Sequence, residues 1–397
     1  MTTYLICAHY NLNNGDRAVL EATLRLLRNH DPESKIIVSA FAPEVFEDSR
    51  VDEVVPWALK PVRGLSKYAL SAFERSQWNN PVLKRLLNKE FLAAVEQADV
   101  VLGSGGHHLT DLLGDDTFLS LALNFGVPAK FGKRLVMLPQ TIGPLLRPTP
   151  EKQEIIRTIL RNSELVLARD GQSVALAEEL GVPAAVHPCP DLVYSLDAHS
   201  AANASHGRRV GIALYCNYAT EEGKSIQRQV MGALAEAAVA YLDRGFEVVI
   251  IPMEVEGTAA DDRPYARELI KRVKDLKPAH AGGVCIQEPN DPGIAATVDA
   301  FAACDLVFAC KTHSTVFAVV GRTPVVAIAY QEKTVEFMRE IGLEDFAVYD
   351  RDVSGSLLKR LGDRAIAEVE AIQSSERQYA SRAAAKADRV FEEICHG

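Results

Sequence analysis

The sequence predicts an α/β protein of two doubly wound, Rossmann-like domains facing a cleft. Three observations predict it. Short apolar runs alternate with longer amphipathic stretches along the 397 residues, the pattern of parallel strands joined by crossover helices. The alternation stops at a small, polar segment, Leu196 to Arg208, and then restarts. Polar or glycine-containing turns stand directly after several of the apolar runs, where sheets of this kind collect their ligands. The length suits two domains better than one core. We therefore expect an N-terminal domain over 1–195, a linker over 196–208 and a C-terminal domain over 209–397, with the last helix packing back on the first domain.

The first strand is expected over Tyr4 to Ala8. It runs into a polar loop, Asn11-Leu12-Asn13-Asn14-Gly15-Asp16, and a helix from about Arg17 to Arg28. Such a loop is either a ligand-facing edge or an ordinary capped turn. Lys35 to Ala40 and Val51 to Val55 read as strands, and Pro61 to Phe91 as mostly helical. Asp99 to Leu102 is a strand ending in Gly103-Ser104-Gly105-Gly106-His107-His108-Leu109-Thr110-Asp111. Its glycines let a backbone approach a ligand, although the spacing matches no nucleotide fingerprint. Adjacent histidines face different ways and no cysteine or carboxylate stands at ligand spacing, so no metal site is expected. Arg134 to Leu138 is a strand followed by Pro139-Gln140-Thr141-Ile142-Gly143-Pro144, read as a rigid loop that either connects or binds through Gln140 and Thr141. A helix over Glu151 to Asn162 precedes strand Leu165 to Ala168. Arg169 then occupies a strand-to-helix corner, aimed over the sheet edge or paired with Asp170 or another local acid.

In the second half, strands are expected at Arg209 to Leu214, Phe246 to Ile251 and Gly283 to Gln287. Helices are expected at Lys224 to Asp243, Tyr265 to Lys274 and Gly293 to Ala303. Leu306 to Ala309 is the next strand. A polar knot follows, Lys311-Thr312-His313-Ser314-Thr315, before a helix over Val316 to Val320 that Gly321 and Pro324 end. Unpaired amides and the helix dipole favour an anion at such a corner. Lys311 adds charge, Thr312, Ser314 and Thr315 add hydroxyls, and His313 adds a titratable group. Gln331 to Phe337 begins another helix, and the last fifty residues read as helical.

Bulk properties exclude some functions. Net charge is -10 with no dense basic run, which argues against nucleic-acid partners. Hydrophobic content of 48% and charged content of 24% describe a soluble globular chain. Seven cysteines form no C-x-x-C pair and mostly lie in apolar runs, so a reduced, cytoplasmic protein is expected. The first residues look like a strand and not a signal peptide, and no run approaches the ~20 apolar residues of a membrane helix. Membrane contact would be peripheral.

Taken in order, the motifs resemble the polysaccharide pyruvyl transferase family. They are NLNNGDRAVL (Asn11 to Leu20), VVLGSGG (Val100 to Gly106), LPQTIGPL (Leu138 to Leu145), ARDGQSVALAEELGV (Ala168 to Val182) and KTHSTVFAVVGRTPVVAIAYQEKTVEF (Lys311 to Phe337). The resemblance implies a glycosyltransferase-B-like fold and transfer of the pyruvyl unit of phosphoenolpyruvate to a sugar as a ketal, with release of phosphate. It implies no cofactor, phosphoenolpyruvate as donor substrate, and a glycan or lipid-linked glycan acceptor from cell-wall or exopolysaccharide synthesis. The place implied is the cytoplasmic face of the membrane, with the acceptor on the N-terminal half and the donor on the C-terminal half.

On that reading His313 is the candidate general acid that protonates carbon 3 of the donor. Lys311 and Arg169 would neutralise phosphate and carboxylate. Thr312, Ser314 and Thr315 would cradle phosphate, with Lys333 near the same pocket. Asp16 and Asp111 would hold or deprotonate acceptor hydroxyls, alongside Asn14, Gly15, Gly105, Gly106, Gln140 and Thr141 as binding residues. The family pattern usually has Arg at Lys311 and a bulky apolar residue at Thr312, so a bidentate grip at Lys311 is lost. Its proline–glutamine loop often continues with Gly where this chain has Thr141. Two other readings share the architecture: a nucleotide-sugar glycosyltransferase, stabilised by a nucleoside diphosphate, and an inactive glycan-binding relative that consumes no donor.

Overall fold

The structure is a computed structural model, and it describes residues 1–59, 85–112, 114–182, 186–196, 208–215, 220–254, 261–280, 282–287 and 294–397. The helical stretch expected from Pro61 and the linker expected over 196–208 fall largely outside them. The chain forms two compact units. Unit 1 comprises Met1–Asn11, Asp16–Leu192 and Ala385–Gly397; unit 2 comprises Leu12–Gly15 and Val193–Ala384.

Unit 1 carries β1 (Thr3–His9), β2 (Lys35–Ala40), β3 (Glu53–Pro56), β4 (Val100–Gly103), β5 (Gly106–Leu109), β6 (Arg134–Ile142), β7 (Leu165–Ala168) and β8 (Val186–Pro188). They pair in parallel in the order β3-β2-β1-β4-β6-β7-β8, with β5 added on β6. Tyr4, Leu5, Ile6, Cys7 and Ala8 of β1 are fully buried, as expected of a strand covered on both faces. The helices are α1 (Asn14–His30), α2 (Lys89–Gln97), α3 (Asp115–Lys130), α4 (Pro150–Arg161) and α5 (Gly171–Glu179). Asn88, Thr149 and Asp170 cap α2, α4 and α5, each accepting from an amide of its helix's first turn.

Unit 2 carries β9 (Arg209–Ala213), β10 (Glu247–Ile250), β11 (Val284–Ile286), β12 (Leu306–Ala309), β13 (Val325–Ala329) and β14 (Ala347–Tyr349), all parallel in the order β11-β10-β9-β12-β13-β14. Around them stand α6 (Glu221–Leu242), α7 (Arg263–Leu276), α8 (Ile294–Ala302), α9 (Thr312–Val320), α10 (Glu332–Glu340) and α11 (Gly355–Ala367). The final helix α12 (Val369–His396) ends in unit 1, where Arg134 donates to the Ile394 carbonyl at 2.8 Å and His30 meets Asp388 at 2.9 Å.

Each sheet has its first and fourth strands side by side, β1 with β4 and β9 with β12. At that junction the strand order reverses, and sheets of this kind collect ligands beyond the carboxyl ends there. In unit 1 the junction is bordered by His9 and the Gly103–Gly106 turn. In unit 2 it is bordered by Lys311 to His313.

Three local expectations need correction. Pro139 to Ile142 is not a loop but the second half of β6; the pairing with β7 shifts register between Met137 and Gln140, around a proline that has no N–H to give the ladder. Gly106 to Leu109 is a short strand on β6. Helix α9 begins at Thr312, four residues before the expected start, so the polar knot is its first turn.

Candidate active site

The carboxyl edge of the unit 2 sheet at that junction carries the first turn of α9. Lys311 is its N-cap, and Ser314 serves the backbone there: its hydroxyl accepts from the Lys311 amide at 3.1 Å and donates to the Lys311 carbonyl at 2.6 Å. Thr315 donates to the same carbonyl at 3.3 Å. Both hydroxyls are fully buried. Ser314 and Thr315 therefore shape the turn. The Thr312 hydroxyl pairs with Thr334 at 2.9 Å, which brings the first turn of α10, and Lys333 on it, beside the first turn of α9. The amides of Thr312, His313 and Ser314 lack intrahelical acceptors by the geometry of any helix start.

His313 is half-buried. Its ring lies against the backbone of Gly15; a Cβ at Gly15 would overlap Nδ1, Cγ and Cε1 of the imidazole. The asparagine–glycine loop and the histidine, 298 positions apart by their numbers (313 − 15), thus meet in one place. Asn14 is buried and its amide donates to the Met253 carbonyl at 3.2 Å.

Lys311 is held by two acids. Its ammonium lies 3.1 Å from Glu254 Oε1 and 3.1 Å from both carboxylate oxygens of Asp262. Burial works to lower the Lys311 pKa, but Asp262 and then Glu254 overcome it and hold it above the usual lysine value. Its three donor hydrogens face three carboxylate oxygens.

In unit 1, Gly106 adopts a φ of 151°, and a Cβ there would run into the His108 ring and approach Asp16 Oδ1 to 3.3 Å. Gly105 is packed under Val19 and the Pro139 carbonyl. Asp16, Gly105 and Gly106 are thus gathered at one edge. The two histidines of that turn diverge: His107 Nε2 meets the Gly143 carbonyl at 2.6 Å, and His108 Nδ1 meets the Ser104 carbonyl at 3.1 Å. Gln140 is fully buried and its side-chain amide donates to the Ser104 carbonyl.

Arg169 takes the ion-paired alternative, with Asp191 at 2.7 Å instead of Asp170. Its Nε also donates to Thr141 at 2.9 Å, and Thr141 donates to Asp170 at 2.7 Å. Thr141 and Arg169 are thereby locked to the α5 cap. Asp111 is likewise engaged within the fold. It receives Lys152 Nζ at 2.6 Å and the amides of Leu146 and Arg147 at 2.6 and 3.0 Å. Burial would raise its pKa, but Lys152 and the two amides outweigh it and hold the carboxyl below the usual range.

Four residues that sequence reasoning passed over complete these edges. Glu254 and Asp262 hold Lys311, Asn13 donates to Glu254 at 2.9 Å, and His9 closes β1. His9 is 1% exposed, and among the described residues neither ring nitrogen has a hydrogen-bond partner. Burial, then His108 and Arg17, press its pKa down to about 3; burial and then Arg169 lower His108 to about 4. A histidine at the end of a buried apolar strand was the available signal.

Two parallel, doubly wound units with their polar turns at the strand-order reversals define a protein of the glycosyltransferase-B-like class. Solved structures agree on the fold: a putative UDP-N-acetylglucosamine 2-epimerase from Listeria monocytogenes (16% identity, 99% of this chain, 95% of that one, TM-score 0.58) and Anabaena Alr3699/HepE in complex with UDP and glucose (14%, 99%, 98%, TM-score 0.59). The family model for polysaccharide pyruvyl transferase matches residues 13–332, and the chain belongs to that family. The amylovoran biosynthesis protein AmsJ of Erwinia amylovora is 23% identical over 276 residues, spanning 65% of this chain and 63% of its own length.

Proposed function

We propose that the protein transfers the pyruvyl unit of phosphoenolpyruvate to a sugar of a cell-wall or exopolysaccharide glycan, forming a ketal and releasing phosphate. The observation that carries this reading is the half-buried imidazole of His313 on the first turn of α9, inside the span matched by the family model. Carbon 3 of the donor takes a proton from His313, leaving carbon 2 electron-poor. One sugar hydroxyl oxygen bonds to carbon 2, the bond from carbon 2 to the phosphate oxygen breaks, and a second hydroxyl closes the ketal. The two hydroxyls give up two protons; one restores the histidine and the other leaves with phosphate.

The first-turn amides of α9 and Lys333 are suited to hold the donor's anionic groups. Asp16 follows Gly15 in the chain and is the carboxylate we assign to an acceptor hydroxyl. No helix among the described residues is long and apolar enough to cross a membrane, so contact with a lipid-linked acceptor would be at the bilayer surface.

The test is phosphate release with phosphoenolpyruvate and a panel of glycan acceptors. Release should require both substrates, and His313→Gln should lower kcat by about 10²–10⁴-fold, the usual range for a lost general acid. Near-normal turnover by His313→Gln would remove the acid role. Thermal stabilisation by a nucleoside diphosphate sugar, with none by phosphoenolpyruvate, would replace this reading with a glycosyltransferase.

A further inference from the structure

Lys311 stands two residues before the candidate acid, yet its ammonium faces two carboxylates from a distant part of unit 2. Asp262 is 1% exposed and Lys311 9% exposed. Asp262 reaches beyond the lysine: its Oδ2 accepts from the amides of Met253 at 2.9 Å and Glu254 at 3.1 Å. The pair therefore fixes the turn that follows β10. That turn in turn holds the asparagine–glycine loop, because Asn14 donates to the Met253 carbonyl at 3.2 Å and Asn13 Nδ2 donates to Glu254 Oε1 at 2.9 Å. Asn13 Oδ1 then accepts from the Gly15 amide at 2.7 Å. Gly15 is the residue whose backbone lies against the His313 ring.

We infer that Lys311 is a positioning residue: through Asp262, Glu254 and Asn13 it seats Gly15 against His313 and so fixes the orientation of that imidazole. The circuit closes on itself, since the backbone from Lys311 to His313 forms its other arm. An anionic substrate at the ammonium would face two carboxylates already there, so charge complementarity opposes a direct donor contact. A buried lysine between two acids holds geometry well, because removing any member leaves an uncompensated charge or an orphaned acceptor. Misplacing a reacting group by about 1 Å costs on the order of 10²-fold in rate. The inference rests on His313 acting as the acid, and its test separates the two.

The experiment compares Lys311→Met, Glu254→Leu, Glu254→Gln and Asn13→Ala by steady-state kinetics with phosphoenolpyruvate and by side-chain NMR of carbon-13-labelled histidine, the His313 signal being assigned by its loss in His313→Gln. Lys311→Met, Glu254→Leu and Asn13→Ala should each lower kcat about 10- to 100-fold, with KM for phosphoenolpyruvate changed less than about threefold. Glu254→Gln keeps an amide oxygen for Asn13 and should recover most of the loss seen in Glu254→Leu. In the same three impaired variants the His313 signal should shift or broaden, and in Glu254→Gln it should stay near its original position. A KM raised about tenfold or more in Lys311→Met with kcat kept would make Lys311 a donor contact and overturn the inference. So would an unmoved His313 signal in Glu254→Leu and Asn13→Ala, which also serve if Lys311→Met does not fold. Should the unmodified protein fail to use phosphoenolpyruvate, the proposed reaction falls, while the NMR comparison still decides the clamp.

Discussion

Acid should unfold unit 1 through two histidines, and the size of the effect follows from their surroundings. His9 and His108 are 1% and 5% exposed, with pKa values pressed to about 3 and about 4 chiefly by burial. In an unfolded chain each would return to about 6.5. The folded values are depressed, so the unfolded state binds more protons between these limits and stability falls as pH drops through 6.5 toward 4. One extra proton costs about 1.4 kcal/mol per pH unit, so the loss between pH 7.5 and 5.0 is about 2 kcal/mol for each histidine and about 4 kcal/mol for both. Urea unfolding at these two pH values, followed by Trp57 fluorescence in a Trp78→Phe background, measures it. The indole N–H of Trp57 donates to the His9 carbonyl at 3.0 Å, so the probe reports on the right place. His9→Leu should halve the acid loss. Equal pH dependence in the variant and its parent would show that His9 has a partner or solvent access in solution, and would refute the reasoning.

Two further substitutions test particular contacts. Gly15→Ala places a methyl group where the His313 ring lies and should lower kcat about 10²-fold in the phosphate-release assay with the thermal transition kept; full activity would show that the ring has room to move. Glu376 on α12 is fully buried with no hydrogen-bond partner for either oxygen among the described residues, and burial raises its pKa well above the usual carboxyl value. Because that pKa is raised, its penalty grows as pH rises past the unfolded value, so Glu376→Met should stabilise the protein by about 1–3 kcal/mol in urea unfolding at pH 8 and by less at pH 4.5.

Much of the fold was legible because buried parallel strands read as unbroken apolar runs, as β1, β7 and β12 do. Other elements hid for physical reasons. Helix α3 is buried from Phe118 to Ala129 and carries Pro128 near its end, so it shows neither an amphipathic period nor a clean stop. Strand β14 is three half-buried residues at the sheet edge, too short for any alternation to register. Pro139 reads as a loop marker, yet it sits within β6 where the ladder shifts register and asks nothing of its missing N–H.

The candidate site shows a different limit. Spacing reveals which residue types gather at a strand end, but not which of their polar groups the fold itself engages. Of the knot's side chains, Ser314 and Thr315 serve the backbone of the turn, Thr312 serves α10, and Lys311 is held by acids 57 and 49 positions away in the chain. Similarly, Asp111 and Arg169 looked like reactive groups and are held by Lys152 and Asp191. A charged residue buried in an apolar setting must find its counter-charge, and no local pattern announces a partner so remote. In the reading proposed above, donor affinity is a matter of the helix terminus and Lys333 instead of Lys311. That ordering is physical: a lysine with two carboxylates against it stabilises a shape, whereas the positive end of a helix favours an incoming anion.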